Sequence, residues 1–105
     1  MDMAKVRRIQ AAGWSVGDTS ELLELTPAEV AYIEVRLELA ACFRSLRLGG
    51  GMTQVEVAHR LGSSQSRVAK MEAADPSVSL DLMVKALLNL GATPGDISRA
   101  IGKVA

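Results

Sequence analysis

Apolar and polar residues recur along this chain with the spacing of α-helices. The stretch from residue 52 to residue 72, MTQVEVAHRLGSSQSRVAKME, shows this spacing most clearly. Its apolar residues form two short runs with a glycine between them: Val55, Ala58 and Leu61, then Gly62, then Val68 and Met71. This pattern predicts two short amphipathic helices joined by a tight turn. No stretch alternates apolar and polar residues as a half-buried strand would, so the chain is predicted to be all-α.

Capping residues mark where the predicted helices begin. Thr26 and Thr53 each stand three residues before a glutamate, which is the capping-box pattern, and Ser63 or Ser64 caps the second helix of the pair. Gly49-Gly50-Gly51 ends the first helix in a turn that is also a candidate hinge. The predicted helices therefore run over residues 26 to about 48, 53 to about 61, 63 or 64 to before 76, 79 to 90 and 93 to about 101.

Residues 26–105 are predicted to form one helical domain that carries the two-helix motif at 53–72, and residues 1–25 an N-terminal extension. The helix over 79–90 is apolar nearly all round, because its polar residues lie four apart in a single stripe. Such a helix is expected to be buried on more than one side. It is either a central core helix that the extension wraps or the interface of a homodimer.

The composition supports a helical core built from aliphatic side chains. Hydrophobic residues make up 49% of the 105 residues and aromatic residues only 3%, which is enough for a buried core without disulfides or metals. The one cysteine, Cys42, excludes a disulfide within the chain and a cysteine metal cage, and it fits a reducing cytosol. Cys42 is interpreted as a small core residue, with a redox role as the alternative.

Several functional classes are not indicated by the sequence. No apolar run approaches the roughly 18 residues of a membrane-spanning helix, and the basic N-terminus has no apolar signal core, so the protein is expected to be soluble and cytoplasmic. The chain carries no catalytic set, metal-ligand cluster or cofactor motif, so we expect neither an enzyme nor a cofactor. His59, the only histidine, is interpreted as a solvated side chain.

Charge is distributed unevenly, although the net charge is zero. Residues 18–38 carry six acidic residues and one basic residue, whereas residues 39–72 carry five basic residues and two acidic ones. The basic segment can supply phosphate contacts. The acidic segment is either a solvated helix face or a docking surface for a basic partner. Trp14, between glycines in the extension, is either an interface anchor or a pin that holds the extension to the core.

A set of residues between 46 and 72 carries a resemblance to a known protein family. Its residues are Leu46-Arg47, Met52-Thr53-Gln54, Val57-Ala58, Leu61-Gly62, Ser64-Gln65-Ser66, Val68 and Met71-Glu72. Over about residues 39–90 this pattern resembles the phage-repressor-like, or XRE-type, helix-turn-helix family. The resemblance implies a lambda-repressor-like fold of about five helices and a sequence-specific DNA-binding transcriptional regulator. It further implies a homodimer on a palindromic operator that represses its own operon.

A finer resemblance points to one branch of this family. The string Ser64-Gln65-Ser66-Arg67-Val68, followed by Val78-Ser79-Leu80-Asp81, resembles the HigA-like antitoxins. This resemblance implies a second partner, a basic ribonuclease toxin that the protein would hold inactive. The alternative from another functional class is a protein-interaction module that keeps the helix-turn-helix scaffold but does not bind DNA.

The expected DNA-binding residues are Gln54, Ser64, Gln65, Ser66, Arg67 and Lys70. Gln65 begins the recognition helix, and its amide can offer a donor and an acceptor together to an adenine edge. Arg67 is expected to contact phosphate in preference to guanine. By resemblance, Gln54 braces the DNA backbone from the start of the preceding helix, and Lys70 contacts a third base or a phosphate.

The remaining charged residues are given structural or solvated roles. By resemblance, Arg47 and Glu72 form an internal ion pair between the first helix and the end of the recognition helix. Arg44 and Arg60 are interpreted as solvated charges, with phosphate contact as the alternative. Many relatives end the recognition helix with Glu-x-Gly, whereas this chain reads Glu72-Ala73-Ala74, so its turn must form without glycine.

Overall fold

The structure, a computed structural model, describes Arg7 and residues 25–104 of the chain. The predicted N-terminal extension, including Trp14, otherwise lies outside the described residues. Within residues 25–104 there are five α-helices and no strand, which confirms the all-α prediction. The helices are α1 Pro27–Gly49, α2 Gln54–Leu61, α3 Gln65–Glu72, α4 Leu80–Asn89 and α5 Pro94–Gly102.

Each helix begins at a capping residue whose side-chain oxygen accepts a backbone N–H two or three residues into the helix. Thr26, Thr53 and Thr93 form complete capping boxes, in which an acidic side chain also accepts the amide of the threonine. Ser64, not Ser63, caps α3, and Ser79 caps α4. These contacts satisfy amides that have no carbonyl partner inside the helix, which explains why the predicted starts were accurate.

Each of the first four helices ends in a turn of the same type, in which one residue has the left-handed conformation. These residues are Gly51 (φ +68°), Gly62 (φ +65°), Ala74 (φ +53°) and Gly91 (φ +107°). In each turn the following amide donates to a carbonyl five residues back, for example Ser63 N to Ala58 O at 2.8 Å and Asp75 N to Lys70 O at 3.0 Å. This is the Schellman motif, which satisfies carbonyls that the helix end leaves open.

The core lies around α1, which packs against α3, α4 and α5, while α2 packs against α3. Its largest fully buried side chains are Phe43, Leu39, Met71, Leu87, Val57 and Val68. Cys42 is half-buried and packs against this core, as expected, and burial raises the pKa of its thiol. No helix within residues 25–104 is long and apolar enough to cross a lipid bilayer.

Two expectations about buried faces need correction. Val55 does not share the buried face of α2: it is 63% exposed, and Val57 is buried instead. The two positions are separated by roughly 200° of helix rotation, so only one of them can face α3 and the core. On α4, burial is less extensive than its apolar sequence indicated, because Leu88 is 45% exposed.

Candidate nucleic-acid interface

The two helices of the motif are joined by a hydrogen bond between their first residues. Gln65 begins α3 and Gln54 begins α2, and Gln65 Nε2 donates to Gln54 Oε1 at 2.7 Å. Gln65 is exposed and Gln54 is half-buried. The bond holds the Gln65 amide at the N-terminal ends of α2 and α3. One N–H and the oxygen of this amide can still form hydrogen bonds to a ligand.

The other four expected residues meet at a neighbouring polar cleft of about 360 Å³. Its lining residues are Ser64, Ser66, Arg67, Lys70, Ser77 and Val78. Ser64 Oγ accepts the amide of Arg67 at 3.1 Å, which fixes the first turn of α3. Because Val68 and Met71 occupy the buried face, Arg67 and Lys70 point to solvent with the cleft between them and the turn after α3.

The predicted ion pair between Arg47 and Glu72 is present. Arg47 Nε donates to Glu72 Oε2 at 2.6 Å, and Arg47 Nη2 donates to Glu72 Oε1 at 2.9 Å. Arg47 Nη1 also donates to the carbonyl of Met52 at 3.0 Å. The side chains are only 12% and 6% exposed, so this bidentate pair ties α1 to both ends of the motif.

The interpretation of residues 18–38 as a solvated face is wrong for two residues of α1. Arg36 is 4% exposed and Glu34 is 8% exposed. Arg36 Nη2 donates to the carbonyl of Asp75 at 3.1 Å and also to the carbonyl of Val78. A signal for this burial was present in the sequence, because position 36 lies on the apolar stripe of α1 between Ile33 and Leu39.

Asp75 and Ser77 are a second pair that sequence reasoning missed. Ser77 N donates to Asp75 Oδ1 at 2.9 Å, an Asx-turn that the sequence Asp-Pro-Ser favours. Hydrogen bonds from the Ser77 side chain and backbone lower the pKa of Asp75 below its ordinary value. The turn carries Ser77 to the cleft opposite Arg67 and Lys70.

Three further charged or titratable residues considered above do not line this cleft. Arg44, His59 and Arg60 are exposed, as expected. Among the described residues, no group of three or more histidine, cysteine, aspartate or glutamate side chains could hold a metal ion.

Comparison with known proteins agrees with this geometry. The HTH_3 helix-turn-helix family model matches residues 43–97, just over half of the chain. The chain belongs to this XRE-type helix-turn-helix family. It is therefore a DNA-binding transcription regulator in kind. The match begins at Phe43, so the first sixteen residues of α1, including Arg36, lie outside it. No curated protein and no solved structure matches the chain.

Proposed function

We propose that this protein is a sequence-specific operator-binding repressor that reads base edges with Gln65. The observation that carries the proposal is the hydrogen bond between Gln65 and Gln54 at the exposed front of α2 and α3. A primary amide can bond two atoms of an adenine edge, and holding its plane in place lowers the entropy cost of doing so. Gln54 supplies that restraint and leaves the second N–H of Gln65 for the base.

The cleft beside Gln65 supplies the sequence-independent part of the proposed affinity. Arg67 and Lys70 bring two positive charges to a cleft that also contains the hydroxyls of Ser64 and Ser66. Cations and hydroxyls are the groups that bind backbone phosphates, which set the register of a protein on DNA. The first-turn amides at Gln54 have no intrahelical carbonyl partner and favour a second phosphate.

Repression of its own operon by a homodimer on a palindromic site completes the proposal. In this family architecture, two recognition helices reach half-sites about one turn of DNA apart when two copies are related by a two-fold axis. Leu88 on α4 and Ile101 on α5 are large apolar side chains that are exposed, and they suit such an interface.

The experiment is a gel shift of the purified protein on its own upstream region, with excess random competitor DNA. Wild type is expected to shift the upstream region specifically. Gln65→Ala should weaken this binding by about 1–3 kcal/mol and relax the preference at one base position. The matched control is Arg67→Ala, which should weaken binding to all sequences alike, because its proposed partner is a phosphate.

The proposal can be contradicted by the result for Gln65→Ala or by the result for wild type. If Gln65→Ala lowered cognate and random binding equally, Gln65 would not read a base. If wild type shifted neither DNA, the weight would move to the alternative function, a protein-interaction module on a helix-turn-helix scaffold.

An antitoxin activity is the second candidate function. The observation in its favour is that Glu29 and Tyr32, at the start of α1, are exposed and lie outside the family match. An acidic and aromatic surface suits a basic ribonuclease toxin, although the burial of Glu34 makes this surface smaller than the sequence indicated. Co-purification of a small basic protein encoded beside this chain tests it, with Tyr32→Ala expected to weaken capture. Equal capture by Tyr32→Ala would remove Tyr32 from the interface.

A further inference from the structure

Arg36 joins α1 to the turn that follows the recognition helix. Its Nη2 donates to the carbonyls of Asp75 and Val78, which lie 39 and 42 residues away along the chain. Its Nη1 donates to Tyr32 Oη at 3.4 Å, and its guanidinium lies 5.8 Å from the centre of the Tyr32 ring. The Arg36 side chain therefore contacts Tyr32 on its own helix and at the same time forms hydrogen bonds to a distant segment.

The two carbonyls are the first and the last of a four-residue turn, residues 75–78. Within this turn, Val78 N donates to Asp75 O at 3.0 Å, and Ser77 N donates to Asp75 Oδ1 at 2.9 Å. One guanidinium nitrogen thus spans the whole turn from the buried side. A lysine could not keep all of these contacts, because its donors lie on one nitrogen, whereas the guanidinium reaches the turn with Nη2 and Tyr32 Oη with Nη1.

The exposed side of the same turn forms a wall of the polar cleft. Ser77 and Val78 line the cleft together with Ser64, Ser66, Arg67 and Lys70. The position of this wall sets the width of the space between Ser77 and the two cations. A phosphate bound by Arg67 and Lys70 would have to fit that space.

We propose that Arg36 is a positioning residue for DNA binding: it holds residues 75–78 so that the cleft accepts a backbone phosphate between the turn and Lys70. The proposal rests on the proposed function, because it needs DNA as the ligand. It adds to that function a determinant on α1 that lies outside the family match and never touches DNA.

The first test is the salt dependence of binding to a short duplex of random sequence, measured for wild type, Arg36→Lys and Arg99→Lys. Random DNA is sufficient because the cleft is proposed to bind phosphate and not a base. Arg36→Lys should weaken binding about threefold to tenfold and reduce the salt slope by about one, the contribution of one phosphate contact. Arg99→Lys, the matched control on α5, should change neither.

The second test separates positioning from general destabilisation. Lys70→Ala is measured in the wild-type and Arg36→Lys backgrounds, at a temperature where circular dichroism shows every variant fully folded. If Arg36 acts through the cleft, Lys70→Ala should cost at least about threefold less affinity in the Arg36→Lys background. Gln54→Ala, which lies outside the cleft, should cost the same in both backgrounds.

Asp75→Ala provides a variant that leaves the buried arginine in place. It removes the acceptor of the Ser77 amide and so loosens the same turn. Loss of a carboxylate would strengthen DNA binding by charge alone. Weaker binding with a smaller salt slope would therefore report lost positioning, and this variant decides the question if Arg36→Lys does not fold.

The outcomes distinguish this proposal from the function on which it rests. Strict additivity with Lys70→Ala, or an unchanged salt slope in both Arg36→Lys and Asp75→Ala, would overturn the role of Arg36 and leave the regulator intact. A wild-type protein that binds no duplex even at low salt would overturn both proposals together.

Discussion

At the scale of single residues, Ala74 holds a backbone conformation that alanine rarely adopts. Its φ is +53°, and its methyl group is buried in the core. It occupies the position where many relatives have the glycine of Glu-x-Gly. The Schellman turn therefore forms without glycine because the surrounding hydrogen bonds and the burial of the methyl group offset the local strain.

This balance predicts that Ala74→Gly is close to neutral. Glycine removes a left-handed penalty of about 1–2 kcal/mol. Against this, the substitution loses about 0.8 kcal/mol of stability from burial of the methyl group. The greater entropy of glycine in the unfolded chain lowers stability further, by about 0.4–1 kcal/mol. We therefore expect the free energy of unfolding, measured by urea denaturation, to change by less than about 1 kcal/mol.

The matched control is Ala58→Gly, another buried alanine, which lies inside α2. It has no left-handed strain to relieve, so it should cost about 1.3–1.8 kcal/mol. Equal losses for the two variants would mean that the positive φ at Ala74 stores no strain.

Arg36, which is buried, and Arg47, which is half-buried, show how far residue type alone can be interpreted. The partner of Arg47 was predicted because the helix-turn-helix pattern includes Glu72 at the matching position. Arg36 has no such motif, and its partners in the distant turn are backbone carbonyls, which any residue carries. Its position on the apolar stripe of α1 indicated burial, but nothing in the sequence identified the turn that it would bind.

At the scale of elements, most helix starts and ends were predicted to within about two residues because their signals are local. The end of α3 was predicted only as before Pro76, and it lies at Glu72. Each capping contact joins residues three apart, and each Schellman bond joins residues five apart. Side-chain and backbone chemistry over such distances needs no tertiary packing. Which face of a helix is buried is less local, and Val55 shows the consequence.

The capping box of α5 predicts an acid-sensitive contribution to stability. Hydrogen bonds from the backbone and side chain of Thr93 lower the pKa of Asp96 below its ordinary value of 3.8. The unfolded chain therefore binds a proton at a higher pH than the folded chain. Stability from this contact is complete above the unfolded pKa and is lost as the pH falls through the lower folded pKa.

Asp96→Asn tests this contribution, because an amide oxygen can still accept the Thr93 amide but does not titrate. Urea denaturation at a series of pH values should show a shallower loss of stability below about pH 4 for the variant than for wild type. Parallel pH profiles would show that the Asp96 carboxylate has the same pKa in the folded and unfolded chains.

At the scale of the whole molecule, zero net charge conceals a separation of charge that matters for DNA binding. Arg67 and Lys70 line one cleft, whereas none of the acidic residues of α1 lines it, and one of them, Glu34, is buried. The proposed affinity for phosphate therefore rests, within residues 25–104, on a few local contacts at this cleft.

We expect a modest salt dependence as a result. If each copy binds roughly two to four phosphates, the logarithm of the binding constant should fall with the logarithm of salt with a slope of about −2 to −4 per copy. Titrations of a random duplex across a salt series measure this slope. A slope near zero would contradict phosphate binding at the cleft, and a much steeper one would require basic residues outside it.

The sequence by itself determined the helices, their caps and turns, the family and the Arg47–Glu72 pair. These features depend on contacts between near neighbours in the chain or on a motif that has a fixed spacing. Only the tertiary structure decided that Arg36 binds residues 75–78, that this turn forms a wall of the cleft, and that Val55 is exposed. The physical reason is that a buried donor is satisfied by whichever carbonyls helix packing brings to it, and those carbonyls lie about forty residues away along the chain.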